Sequence, residues 1–261
     1  MNATDVGHIV IGLGSGRSGT ASLASLIDRQ QGGLCFHEMN PSGAVFTGNP
    51  QAQINTVTEL RAILSGGERA RLSIDYSRPA SVATYAKLQT MQQPMLLGDI
   101  GFYYLTYVED ILALQPECKF VCIRRDKEQT IQSWLQKSKV KRWHSLWLAD
   151  RLKAFVTRAA FQTEYNYWQE HDGSVWMPDP VWDSCFPKFE AASKQEAIGK
   201  YWDYYYKEAT RLANAHPGSF QVFDISDLSC VEGHRSILSF IGLSPDRMVC
   251  GGEVHLHKSK K

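Results

Sequence analysis

The stretch His8-Ile9-Val10-Ile11-Gly12-Leu13-Gly14-Ser15-Gly16-Arg17-Ser18-Gly19-Thr20-Ala21-Ser22-Leu23 constrains this chain more than any other. A short apolar run passes into a loop of small residues and then at once into a helical pattern. Glycines in such a loop let backbone N–H groups close on an anion, and the N-terminus of the following helix adds its positive dipole end. The loop also carries one cation, Arg17, and two hydroxyls, Ser18 and Thr20. The expectation is a phosphate or sulfate cradle built from Ser15, Gly16, Arg17, Ser18, Gly19, Thr20 and Ala21. A plain glycine-rich turn would need neither the cation nor the hydroxyls.

The loop comes close to the Walker pattern and then departs from it. Gly14 and Gly19 have the G-x-x-x-x-G spacing, but Thr20 stands where the Lys should follow. That Lys serves the β- and γ-phosphates of a nucleoside triphosphate. A cradle without it, with its cation two residues before Gly19, points to a different donor.

A length of 261 residues suits one large α/β domain or two small ones. Net charge is +1, so nothing global argues for nucleic acid or an anionic surface, and any anion site must be local. No run approaches the roughly 18 apolar residues of a membrane span. Residues 1–7 are polar, with neither the basic start nor the apolar stretch of a secretory signal. The six cysteines are scattered, and no two form C-x-x-C. They are expected to be reduced thiols in a cytoplasmic protein, with Cys118 and Cys122 in the core and no metal site. His255 and His257 are close together but give little support for a metal.

Strand-like runs at 8–13, 33–37, 71–75, 94–99 and 119–124 alternate with helical patterns near 19–30, 52–65, 79–92, 103–114 and 127–138. This alternation predicts an α/β fold with a central parallel sheet flanked by helices. Ligands of such sheets bind beyond the carboxyl ends of the strands, where the first loop falls. Residues 139–190 differ: Trp143, Trp147, Trp168, Trp176 and Trp182 lie here, and 171–188 hold Gly173, Pro178, Pro180 and Pro187. A helical and irregular insertion within a single domain spanning 1–261 is expected, acting as a lid or acceptor wall, with most aromatics packing a subcore. A helix over 190–215 follows, with an aromatic band of Tyr201, Trp202, Tyr204, Tyr205 and Tyr206. Then come a strand at 220–223, a turn at 224–227 and a last helix to about Ile241.

A second constellation is Lys119-Phe120-Val121-Cys122-Ile123-Arg124-Arg125-Asp126, a strand ending in two arginines and an acid. Ser133 lies eight residues after Arg125, on the next helix. A strand-to-helix bend brings the two toward one phosphate, for which guanidinium supplies a fork and the hydroxyl a further donor.

Taken together, the 14–20 loop and Arg125-Asp126-x6-Ser133 resemble the two nucleotide motifs of the sulfotransferases that use 3′-phosphoadenosine 5′-phosphosulfate (PAPS). The closing segments Phe220–Leu228 and Ile237–Leu243 are similar to the family's last strand, turn and helix, so the resemblance runs from residue 8 to about 243. It implies the family's P-loop NTPase-like, three-layer sulfotransferase fold. It also implies PAPS as co-substrate and adenosine 3′,5′-bisphosphate (PAP) as product, without a metal. The first loop would hold the 5′-phosphosulfate, and Arg125 and Ser133 the 3′-phosphate. Two departures are visible. Many members have Lys where this chain has Arg17, and an arginine is a poor proton donor near neutral pH; Arg17 would act by stabilising charge on the bridging oxygen. A Pro that often follows the strand-end Arg by two residues is Lys127 here.

Sulfuryl transfer to a hydroxyl also needs a group that takes its proton. Glu38 follows Arg17 by 21 residues, similar to the position of the Glu base in the heparan-sulfate glucosaminyl branch. Cytosolic members use a His nearer the strand-end Arg. Leu97-Gly98-Asp99-Ile100-Gly101-Phe102-Tyr103 stands there and has no His. Glu38 is therefore the first candidate, His37 the second and Asp99 the third, with Asp75 behind them; each would otherwise be a polar strand-end residue. Trp134 is expected either to stack on adenine or to fill the core. Lys258 and Lys260 belong to a solvated tail or reach back to the 3′-phosphate. The leading expectation is sulfuryl transfer from PAPS to a hydroxyl or amine of a small-molecule or carbohydrate acceptor, with no nucleic acid or membrane span involved. The alternative is a P-loop kinase or other nucleotide-dependent transferase. A non-catalytic nucleotide-binding module is the third class.

Overall fold

The structure is a computed structural model that describes residues 7–40, 50–69, 72–137, 152, 155, 156, 189, 191 and 194–251. Its frame is a five-stranded parallel sheet in the order β2-β3-β1-β4-β5. The strands are β1 (His8–Leu13), β2 (Gly33–His37), β3 (Leu96–Ile100), β4 (Lys119–Arg124) and β5 (Phe220–Asp224). β1 lies at the centre, paired with β3 on one side and β4 on the other. The chain leaves β1 for β2, returns to β3 beside β1, and then crosses to β4 and β5. The loop after β1 therefore stands at the switch of winding direction, where open parallel sheets bind ligands.

The strands read as continuous apolar runs because both sheet faces are covered. Ile9, Ile11, Leu13, Leu34, Phe36, Leu97, Phe120 and Phe220 share one core. It is closed by α2 (Gln51–Leu64), α4 (Val108–Leu114) and α6 (Lys194–Ala215), through residues such as Val57, Leu60, Ile111, Tyr201 and Tyr205. Val10, Cys35, Leu96, Val121, Ile123 and Phe223 point the opposite way. They pack on α1 (Thr20–Asp28) and α7 (Val231–Phe240) through Leu23, Leu26, Ile27, Ile237 and Leu238. α3 (Pro79–Thr90) and α5 (Lys127–Lys137) complete the helices used below. No described helix is long and apolar enough to cross a membrane.

Two sequence expectations are corrected. The strand at 71–75 does not form: residues 72–75 carry no strand ladder, and Asp75 N–H donates to the Met39 carbonyl at 3.0 Å just past the end of β2. The helix over 103–114 opens instead as a 3₁₀ segment, Phe102–Tyr107, before α4 begins. Tyr103 and Tyr104 in that segment both turn back to Asp99, which the tighter winding accommodates. The insertion expected over 139–190 lies outside the described residues apart from 152, 155, 156 and 189, as does the tail with His255, His257, Lys258 and Lys260. Phe189 packs against Tyr201 and Tyr204. The described cysteines are free thiols, and burial pushes Cys35, Cys118 and Cys122 up in pKa, which leaves them unreactive.

Candidate functional site

The loop after β1 runs through the left-handed region at Gly16 (φ 77°), Arg17 (φ 56°) and Gly19 (φ 96°). Two of these are glycines, which adopt it without steric cost. Arg17 is not, and a non-glycine residue held there costs about 1 kcal/mol or more. Both ends of Arg17 are tied down. Its Nε donates to Ser133 Oγ on α5 at 3.0 Å, and its carbonyl accepts from Arg125 Nη1 at 3.1 Å. Trp134, next to Ser133, covers Gly16 so closely that a Cβ there would lie 2.6 Å from its ring. Trp134 thus works as a wall of the loop, packed at the same time near Ile131 and Ile198.

The backbone of this loop divides into two parts. Gly14 N–H donates to the Tyr205 hydroxyl at 3.0 Å and Ser15 N–H to the Tyr206 hydroxyl at 3.4 Å. Among the described residues, the N–H groups of Gly16, Arg17, Ser18, Gly19, Thr20 and Ala21 have no protein acceptor. Backbone donors need partners, and a run of them at the start of α1 has the arrangement that can accept an anion. The hydroxyls of Ser15 and Ser18 are turned inward, toward Tyr206 and Gly14, so Ser18 has only its N–H to offer a ligand.

Two guanidinium groups, Arg17 and Arg125, stand at this loop, and neither forms an ion pair with a carboxylate among the described residues. Arg125 Nε instead reaches the neutral Gln129 side chain at 3.3 Å. Cations elsewhere are commonly matched, as in Arg61–Glu117, Lys87–Asp28 and Lys127–Asp203. Arg17, in the loop after β1, meets Ser133 on α5 through its side chain and Arg125, just past β4, through its carbonyl.

The candidate bases sit at the carboxyl end of β2. His37 Nε2 lies 3.1 Å from Thr20 Oγ1, which links that strand end to the first residue of α1. Glu38 adopts φ 55°, and Arg78 Nη2 donates to its Oε2 at 2.8 Å. Asp99 is set apart from these groups. Its carboxylate is fully buried and accepts from Met39 N–H at 3.1 Å, Tyr103 at 3.0 Å and Tyr104 at 2.8 Å. Burial raises its pKa, against the pull of those three hydrogen bonds. Asp99 clamps the turn that carries Glu38 and meets no open space. Asp75 is used locally, accepting from Ser77 N–H and Oγ.

Sequence reasoning did not assign the residues that hold the loop from behind. Tyr205, Tyr206 and Trp202 sit in the aromatic band of α6, and Trp202 Nε1 donates to the Arg125 carbonyl at 3.0 Å. Arg78, the partner of Glu38, was also missed. The band was visible as a pattern, but nothing in its spacing names a partner nearly two hundred residues away.

No family model matches the chain, and neither does any curated protein. It is similar to a solved sulfotransferase from Alicyclobacillus acidocaldarius, at 12% identity over 97% of this chain and 86% of that one, with a TM-score of 0.44. It is also similar to the sulfotransferase domain from the curacin biosynthetic pathway, at 15% identity over 92% and 76%, with a TM-score of 0.40.

Proposed function

We propose that this chain is a sulfotransferase that moves a sulfuryl group from PAPS to a hydroxyl or amine. One observation carries the proposal: two arginines without carboxylate partners among the described residues stand at a loop of open N–H groups, one of them bonded to Ser133 and the other to the Arg17 carbonyl. The loop suits a 5′-phosphosulfate, and Arg125 with Ser133 suits a second anion, the 3′-phosphate. An ATP enzyme has no use for that second position. It would also lack two parts, because Thr20 replaces the Walker Lys and Ala21 stands where a Mg²⁺-binding hydroxyl belongs.

When bound, PAPS supplies a sulfuryl group on a phosphosulfate anhydride. The N–H groups of Gly16, Arg17, Ser18, Gly19, Thr20 and Ala21 hold its phosphosulfate end. The Arg17 guanidinium stabilises charge that gathers on the bridging oxygen. Glu38 takes the acceptor proton, with Arg78 holding its carboxylate in place and His37 joining the turn to the loop through Thr20.

Calorimetric titration tests the donor. PAP should bind without metal, and Mg·ATP should bind far more weakly; the reverse order sinks the proposal. Arg125→Ala should weaken PAP by about 10- to 100-fold, the scale of a lost charge-assisted contact, and leave adenosine 5′-phosphate nearly unchanged. Glu38→Gln should stop turnover with PAP affinity intact. Persisting turnover would remove Glu38 as the base.

A further inference from the structure

We propose that Tyr205 and Tyr206 are positioning residues that set the anion loop from behind, so that their hydroxyls control 5′-phosphate affinity without touching the ligand. The inference rests on the loop being an anion site, as read above. Each hydroxyl makes a relay of the same kind. Tyr205 accepts from Gly14 N–H at 3.0 Å and donates to the Phe102 carbonyl at 3.1 Å. Tyr206 accepts from Ser15 N–H at 3.4 Å and donates to the Ile123 carbonyl at 2.8 Å, and its oxygen lies 3.2 Å from Ser15 Oγ. The two carbonyls belong to the chain just past β3 and to β4. The loop is thus fixed to the strands on either side of β1 through two phenols of one helix.

The relay needs neutral phenols, since only a protonated hydroxyl can accept and donate at once. Both rings are buried, and burial pushes both pKa values up. The Trp202 ring packs tilted against Tyr206, with centroids 4.7 Å apart, and its Nε1 holds the Arg125 carbonyl, so the same helix face supports the second anion position. The consequence is a division of labour. The tyrosines occupy the N–H groups of Gly14 and Ser15, and the next six N–H groups stay open for the ligand. Removing a hydroxyl leaves a loop N–H without a partner in a buried place, and the loop must move to find one.

Titration of PAP and of adenosine 3′-phosphate into the full-length protein, Tyr205→Phe and Tyr206→Phe tests this. Phe keeps the ring and its packing. Each variant should bind PAP about tenfold more weakly and adenosine 3′-phosphate, which has no 5′-phosphate, within twofold of wild type. An equal loss for both ligands marks a general structural role and overturns the proposal, as does no loss for either. If wild type binds Mg·ATP instead of PAP, the donor reading above fails and the tyrosines are judged on ATP against adenosine. A wild type that binds no phosphate-bearing probe overturns both. Should the variants fail to fold, amide exchange in the unsubstituted protein decides: Gly14 and Ser15 must be protected before ligand is added, and fast exchange there refutes the relay.

Discussion

Asp99, the third candidate base, shows how the surroundings of a single residue escape the sequence. An acid inside Leu96–Ile100 is conspicuous, and a buried carboxylate near a phosphate loop suggests a base. Its partners were within sight in the sequence, since Tyr103 and Tyr104 follow by four and five residues. The third, Met39 N–H, is 60 residues away and becomes apparent only when β2 lies beside β3. Asp99→Ala should leave three buried donors without an acceptor and cost about 3 kcal/mol or more, read as a fall in the urea midpoint. Asp99→Asn, which keeps an acceptor for Met39, should cost less. The pH dependence has an unusual sign. Because burial raises the folded-state pKa above that of the unfolded chain, the native state holds this proton more tightly. The contribution of Asp99 is complete below the ordinary aspartate range and is lost as pH rises through the folded value. The stability of wild type relative to Asp99→Asn should therefore improve as pH falls; a difference that stays flat contradicts the assignment.

At the level of elements, apolar continuity was a better guide than alternation. β1, β2 and β4 were legible to the residue because parallel strands covered on both faces are apolar throughout. The segment at 71–75 misled because it alternates for a different reason. Leu72 and Ile74 are buried and Ser73 is exposed, so the burial pattern of a strand is present without a neighbour to pair with. Turn chemistry near the end of the chain was legible as well. The turn expected at 224–227 forms, and in it Asp224 and Asp227 make a reciprocal cap on the 3₁₀ segment Ile225–Ser229. What the sequence did not reveal is how tightly α7 sits on that segment. A Cβ on Gly233 would fall 2.2 Å from the Asp227 carbonyl oxygen and 2.4 Å from its Cα, both backbone atoms that cannot rotate away. Gly233→Ala should force α7 outward and cost about 1–3 kcal/mol, seen as a lower thermal midpoint with helical content retained. An unchanged midpoint would mean that the helix shifts freely.

Across the whole molecule, the order of strands was the part that local pattern could not supply. Alternating strands and helices imply a parallel sheet, but β1 could have been an edge or a centre. Its central place is what lets the loop at 14–19 meet groups from β2, β4 and α5 at once. The 14–20 loop, the Arg125–Ser133 motif and the Glu38 candidate were each read in the sequence as separate features. The supports of the loop from α6 were not, because they are long-range. The relay from Gly14 to Tyr205 and from Ser15 to Tyr206 spans 191 residues in each case. That separation has a consequence for how the protein comes into being. Closing so large a loop is entropically costly and comes late, after the sheet exists to receive α6. A chain emerging from the ribosome carries its glycine-rich loop well before the residues that shape it, which follow 191 positions later. The final shape of the loop is thus acquired only once α6 has been made, together with the fold itself.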